Sequence, residues 1–167
     1  MVFLYIVLGV IFLFGIVAFR GAPYVPSHKR FAEKSLTELY KLSTGDTLVD
    51  VGSGDGVILR IAANKGARAI GYEINPILVA ISKLLSIRQP LVTTRFADFW
   101  LTKLPQETTI VYAFSVTRDM DKMERKLQET ADDTGHAVWF VTYGSTMKQK
   151  VPVRTLDAHT LYLFEPK

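Results

Sequence analysis

The 167-residue chain contains no cysteine. Disulfides, thiolate metal sites and a cysteine nucleophile are thereby excluded, and a reducing compartment suits the chain. Internal repeats and low-complexity segments are also missing. An excess of one charge is lacking: a net charge of +4 is too small to argue for nucleic acid by itself. Histidine occurs three times. His28 lies beside a proline-containing stretch, and His136 and His159 read as loop positions, so none is assigned a catalytic role. No general base stands out and no metal-ligand set is read, so neither a metal nor a nucleic acid is expected as a partner. The length leaves room for one domain rather than two.

Apolar residues are plentiful, and their excess sits at the N-terminus. Val2 to Phe19 is an unbroken apolar run. As a helix it would be about 27 Å long, close to the hydrocarbon thickness of a bilayer. A cleaved signal peptide needs a positive region before the run, and none is there; Arg20 follows Phe19 where small residues would be required. A buried core helix is a poor alternative, because an opening helix with no polar face is hard to fit in so small a domain. The reading is a transmembrane anchor over residues 1–20. Arg20, Lys29, Arg30 and Lys34 follow it, and the positive-inside rule then places the rest in the cytoplasm.

Gly21-Ala22-Pro23-Tyr24-Val25-Pro26-Ser27 is extended, because its two prolines remove amide donors and bias their neighbours away from helix. It is either a stiff juxtamembrane linker or a strap across the mouth of a site. Ser27 is placed to cap a helix from His28 to Leu42, so residues 21–45 form a strap and an N-terminal helix. Residues 46–167 form the main domain.

The centre of that domain is Leu48-Val49-Asp50-Val51-Gly52-Ser53-Gly54-Asp55-Gly56. An apolar strand enters a turn with glycines at alternate positions, and a helical pattern follows over Val57–Asn64. Glycine suits a tight turn whose backbone lies against a ligand. A dinucleotide fingerprint reads G-x-G-x-x-G, whereas here Val57 stands where its third glycine would fall. Asp50 would also repel phosphates and suits a cationic or amine-bearing ligand. Arg68 to Glu73 reads as a second strand ending in an acid, at the distance of about 20 residues where a doubly wound sheet places a ribose-hydroxyl acceptor.

Further elements follow in alternation. Pro76 opens a helix that continues from Ile77 to Ile87. Leu91 to Ala97 is a third strand, ending in Asp98-Phe99, and Thr109 to Phe114 a fourth, ending at Ser115. A charged helix spans Arg118 to Ala131, and Ala137 to Tyr143 is a fifth strand. Val151 to Leu156 and Thr160 to Phe164 form a closing hairpin turned at Asp157-Ala158-His159. The order predicts an α/β fold: a mostly parallel, seven-stranded sheet with a C-terminal antiparallel hairpin. Ligands of such sheets bind beyond the carboxyl ends of the strands, where Gly52, Glu73, Asp98 and Ser115 all fall. Asp98-Phe99 reads equally as a helix cap with a core aromatic.

Asp50, the glycine loop and Glu73 together resemble the first two motifs of the Rossmann-like class I methyltransferases that use S-adenosylmethionine (SAM). Ala22-Pro23-Tyr24-Val25-Pro26 and Gly71-Tyr72-Glu73-Ile74-Asn75-Pro76, read with the glycine loop, resemble a narrower family. Its small membrane-anchored members in animals trimethylate lysines of the ATP synthase c-subunit and of the adenine nucleotide translocase. The resemblance implies SAM binding by Asp50, Gly52, Ser53, Gly54, Gly56, Glu73, Asp98 and Phe99, with the adenine at Asp98-Phe99. Tyr24, Pro26 and Ser115 are implied on the substrate side. Some enzymes that methylate exocyclic amines of nucleobases carry a Pro-Pro-aromatic motif after strand four, and Phe114-Ser115-Val116-Thr117 lacks it.

The expected activity is SAM-dependent methyl transfer to a lysine of a membrane protein by a single-pass protein at the bilayer. Tyr24, Phe99 and Trp100 are candidates to hold a methylated ammonium by cation–π contact. Methylation of a lipid or a small membrane-associated molecule, a SAM-binding module without catalysis, and a nicotinamide oxidoreductase are the alternatives.

Overall fold

The computed structural model describes residues 4–5, 29–114 and 117–167. The Tyr24–Pro26 strap, His28 and Ser115 lie outside the described residues, as does the Val2–Phe19 run apart from Leu4 and Tyr5. Among the described residues no helix is long and apolar enough to cross a membrane.

Seven strands form one sheet: β1 (Thr47–Val51), β2 (Arg68–Glu73), β3 (Val92–Phe96), β4 (Ile110–Phe114), β5 (Val138–Tyr143), β6 (Arg154–Leu156) and β7 (His159–Phe164). Their spatial order is β3-β2-β1-β4-β5-β7-β6. The β1–β5 ladders are parallel, and β7 runs antiparallel to both of its neighbours. The helices are α1 (Lys29–Lys34), α2 (Val57–Asn64), α3 (Pro76–Leu85) and α4 (Met120–Thr134).

Both faces of the central strands are covered, which is why β1 and β4 read as continuous apolar runs rather than alternating ones. On one face Leu48, Ile110, Val141 and Leu161 pack against Ala32 and Leu36 from α1 and its continuation, and against Ile58, Leu59 and Ile61 of α2. On the other, Val49, Val111, Phe140 and Tyr162 pack against Met120, Met123, Leu127 and Ala131, which recur along one side of α4. Each large side chain buried in this way stabilises the fold by about 1.5–3 kcal/mol.

Helix ends follow the local chemistry. The Asn75 side-chain oxygen accepts from the amides of Ile77 at 3.0 Å and Leu78 at 3.4 Å, and Pro76 opens α3. Gly135, at φ 70°, closes α4 and donates to the Ala131 carbonyl.

The N-terminal helix departs from the even helix expected over His28–Leu42. After α1 the chain widens into a π-turn over Ser35–Leu39, where the Tyr40 amide reaches back to the Ser35 carbonyl at 2.9 Å. The wider turn lets Ser35, Leu36 and Leu39 all face inward. Just beyond it, Asp46 gathers donors at the foot of β1. It accepts from Tyr40 Oη at 2.7 Å and from the Ser43 amide, Ser43 Oγ and Thr109 Oγ1 at 2.8 Å each. Burial pushes its carboxyl up, but these bonds outweigh it and hold the group below the usual range.

The closing hairpin is shorter on one side and longer on the other than expected. Val151, Pro152 and Val153 are exposed and precede β6, and Pro152 has no amide for a ladder. The tight turn is made at Asp157, in the left-handed region at φ 54°. His159 is therefore not a loop residue: it begins β7 and is 2% exposed.

Candidate functional site

Strand order reverses between β1 and β4, and the glycine turn after β1 stands at that switch point. Gly52, Gly54 and Gly56 all have positive φ, at 67°, 54° and 80°, so the loop needs glycine at each. The chain there folds back onto β2: the Gly52 and Ser53 amides both donate to the Tyr72 carbonyl, at 2.9 and 3.1 Å. Gly71 makes room for this. A Cβ on it would lie 2.4 Å from Ser53 Oγ and 2.6 Å from Ser53 Cβ. Ser53 thus turns its side chain onto the sheet, where its buried hydroxyl has no partner among the described residues.

Glu73 ties the elements together. One carboxylate oxygen accepts from the Gly54 amide at 2.9 Å and the other from the Asn75 amide at 2.8 Å. Each oxygen keeps a second lone pair for a ligand hydroxyl.

Asp50 is 3% exposed. Burial, first, and then the charges of Glu73 and Asp55 push its carboxyl well above the ordinary range. No group among the described residues donates to it. Asp55 pairs with Arg60, with Oδ2 and Nη2 3.2 Å apart. Three carboxyl groups thus surround one loop with a single paired guanidinium. That imbalance favours a cationic ligand. Above Gly52 an added Cβ would meet nothing within 4 Å, so the loop backbone is open to a ligand on that side.

The remaining sequence candidates divide. Asp50, Gly52, Ser53, Gly54, Gly56 and Glu73 come together at the ends of β1 and β2. Asp98 follows β3, beside them; it is exposed and its Oδ1 caps the short 3₁₀ turn Phe99–Leu101 by accepting from the Trp100 amide at 2.8 Å. Phe99 is 3% exposed and packs in the core with Tyr72, which agrees with the core-aromatic alternative. Trp100 carries Lys122 Nζ over its ring at 4.3 Å. Neither ring is placed as a free face for a methylated ammonium. Among the described residues no three His, Asp or Glu side chains form a group that could hold a metal.

The structure adds residues that the sequence does not single out. Tyr112 pairs with Asp50 in the β1–β4 register, and its hydroxyl lies 3.0 Å from His159 Nε2. Tyr143 meets the His159 ring edge-on at 4.8 Å and stacks with Phe114 at 5.3 Å. Burial lowers the His159 pKa to about 4, so the imidazole is neutral at pH 7, and burial raises the Tyr112 hydroxyl far above its ordinary value. The only signal in the sequence is an aromatic at the end of β4 and of β5, and it becomes a cluster only once the register is known.

The profile of the ANTKMT methyltransferase domain family matches residues 50–154, from the buried Asp50 to the first residue of β6. The chain belongs to this family. Among curated relatives, the ATP synthase c-subunit lysine N-methyltransferase of Xenopus laevis is 35% identical over 119 residues, covering 70% of this chain and 51% of that protein. The chain thus spans about half the length of that relative. A protein-lysine N-methyltransferase of Saccharolobus islandicus is 29% identical over 151 residues, covering 85% of this chain and 92% of that one. Among solved structures, an RNA methyltransferase from Salinibacter ruber in complex with S-adenosyl-L-homocysteine superposes with a TM-score of 0.75 at 30% identity. It covers 86% of this chain and 95% of that one.

Proposed function

We propose that this family member is a SAM-dependent methyltransferase whose acceptor is a lysine of a membrane protein. The observation that carries the cofactor assignment is the glycine loop with Asp50 buried and undonated on one side and Glu73 bound to the Gly54 amide on the other. Bound SAM supplies a methyl group on a positively charged sulfonium, with a neutral leaving group. Asp50 and the open backbone at Gly52 suit its amino-acid end. Glu73 offers its free lone pairs to the ribose hydroxyls, Gly54 and Gly56 keep the loop close, and Asp98 is assigned to the adenine amine.

Little acid catalysis is needed for such a displacement, and positioning carries much of the barrier reduction. An acceptor lysine must first lose its proton, which costs roughly 4.6 kcal/mol at pH 7 from a pKa of about 10.4. A partly desolvated rim lowers that cost. Two relatives named for lysine methylation favour a lysine acceptor. The apolar Val2–Phe19 run favours a protein held at the bilayer with the domain on its cytoplasmic side, where tethering raises the effective concentration near membrane substrates. A second reading, RNA methylation, is favoured by the Salinibacter neighbour; the missing Pro-Pro-aromatic motif after β4 weighs against base methylation.

The test is to incubate the full chain with methyl-labelled SAM and host membranes, and separately with host RNA. Label in a protein band, lost with Glu73→Ala and mapped to lysine by mass spectrometry, supports the proposal. Label confined to RNA or to lipid overturns the acceptor, and failure to bind SAM overturns the enzyme class.

A further inference from the structure

The candidate cofactor residues occupy one side of the switch point, on the ends of β1, β2 and β3. An acceptor must approach from the other side, over β4, β5 and β7. The carboxyl edge there is aromatic. Phe114 ends β4 and faces Tyr143, its register partner at the end of β5. Tyr143 in turn faces His159, its register partner at the start of β7. All three are in phase with Tyr112 and Asp50, so they share one face of the sheet. Phe114 and Tyr143 are partly exposed, whereas Tyr112 and His159 are buried.

We propose that the Phe114 and Tyr143 rings form the wall against which the acceptor's alkyl amine is seated, with His159 and Tyr112 as positioning residues behind them. This deepens the methyltransferase reading and rests on it.

The physical case has three parts. The two rings are stacked at an interplanar angle of 29°, so each covers and braces one face of the other, and what they present together is an aromatic rim with the outer face of Phe114. A ring face attracts an ammonium and holds it better as methyl groups replace its hydration. The wall also desolvates the amine, which favours its neutral, nucleophilic form before transfer. The buried pair behind the wall cannot move freely, because Tyr112 Oη is bonded to His159 Nε2 and the His159 ring sits against Tyr143. A neutral imidazole serves here, since a charged one would repel the cation it helps to seat.

Phe99 and Trp100 do not compete for this role, one being buried and the other already covered by Lys122.

The experiment uses the full chain with Tyr143→Leu, Tyr143→Phe and Phe114→Leu. SAM affinity is measured by calorimetry. Initial rates of label transfer are measured against rising amounts of host membranes as acceptor, and products are sorted by the number of methyl groups on lysine. Tyr143→Leu is expected to raise the half-saturating acceptor concentration roughly threefold to thirtyfold, with SAM affinity within twofold of the parent. Tyr143→Phe keeps the ring and should restore acceptor saturation, which a purely structural loss of the hydroxyl would not predict. Phe114→Leu probes the second ring should Tyr143→Leu fail to fold, and is expected to weaken acceptor saturation in the same way. Unchanged acceptor saturation in the leucine variants overturns the proposal. So does a loss of SAM affinity that accounts for the whole effect, or transfer whose ring dependence is seen with RNA and not with lysine. If the parent binds no SAM, the methyltransferase reading itself has failed, which is a separate result.

Discussion

Gly71→Ala tests the idea that β2 and the glycine loop are held in van der Waals contact by a missing methyl group. The added Cβ would meet Ser53 Oγ at 2.4 Å, Ser53 Cβ at 2.6 Å and Leu59 Cδ1 at 2.7 Å. Leu59 ends in a flexible side chain and can yield, but Ser53 Cβ is fixed to the loop. Ordinary contact begins near 3.4 Å, so the loop must retreat by about 1 Å. Overpacking of this kind costs about 1–3 kcal/mol. For a domain of this size that lowers Tm by about 2–12 °C.

The retreat also pulls the Gly54 amide from Glu73, a 2.9 Å bond. A displacement of about 1 Å at a positioned site costs up to about a hundredfold in rate, and the loosened loop should also weaken SAM binding. The assay is a pair of measurements, thermal unfolding and SAM calorimetry, on Gly71→Ala, Ser53→Gly and the double variant. Ser53→Gly removes both of the close serine atoms, so the double variant should recover much of what Gly71→Ala loses. An unchanged Tm and SAM affinity in Gly71→Ala, or a double variant as impaired as the single one, would refute the reasoning.

Three further outcomes are expected. Glu73→Gln keeps the side-chain size but offers one acceptor oxygen where two backbone amides now bind; SAM affinity should drop roughly tenfold to a hundredfold, and an unchanged calorimetric affinity would remove Glu73 from the site. Asp46→Asn turns an amide toward hydroxyl and amide donors and should cost about 2–4 kcal/mol in chemical denaturation; because the folded pKa of Asp46 is lowered, its stabilisation is present above about pH 3.9 and fades below it. His159 has the same sign of pH dependence for a different reason: its folded pKa of about 4 against 6.5 unfolded means the unfolded chain takes up the proton first, so about 3 kcal/mol is lost as pH falls from 6.5 to 4. Asp50, whose folded pKa is raised, opposes this by binding a proton in the folded state, so Asp50→Asn should steepen the loss of stability in acid, as read by urea midpoints across that range.

The central strands and the glycine loop are legible in the sequence because their signals are local. Leu48–Val51 is apolar but for Asp50 and stops at glycines whose positive φ the turn requires. Arg68–Glu73 and Val57–Asn64 have the same limits in the sequence pattern and in the structure. The π-turn at Ser35–Leu39 is not legible, since its cause is the shared packing of Leu36 and Leu39 rather than any residue preference. The pattern overextends the short β6, because Val151 and Val153 look like strand residues but stand exposed beside Pro152. It also leaves His159 one residue too far into the turn: with Asp157 in the left-handed region, the reversal is completed earlier. That shift converts a surface histidine into a buried one. The aromatic wall is hidden for a related reason, since Tyr112, Tyr143 and His159 lie far apart in the chain and meet only through parallel and antiparallel register.

The strand order also divides the chain by task. The proposed cofactor contacts are all drawn from residues 50–98, on β1, β2 and β3, and the proposed acceptor contacts from residues 114–143, braced from β7. The polypeptide passes between these two districts once, in the stretch from Phe99 to Thr109. A gene encoding such a protein can therefore change its second half, and with it the molecule that is modified, while the first half keeps the same donor. Relatives that carry the names of different acceptors are what such an arrangement permits.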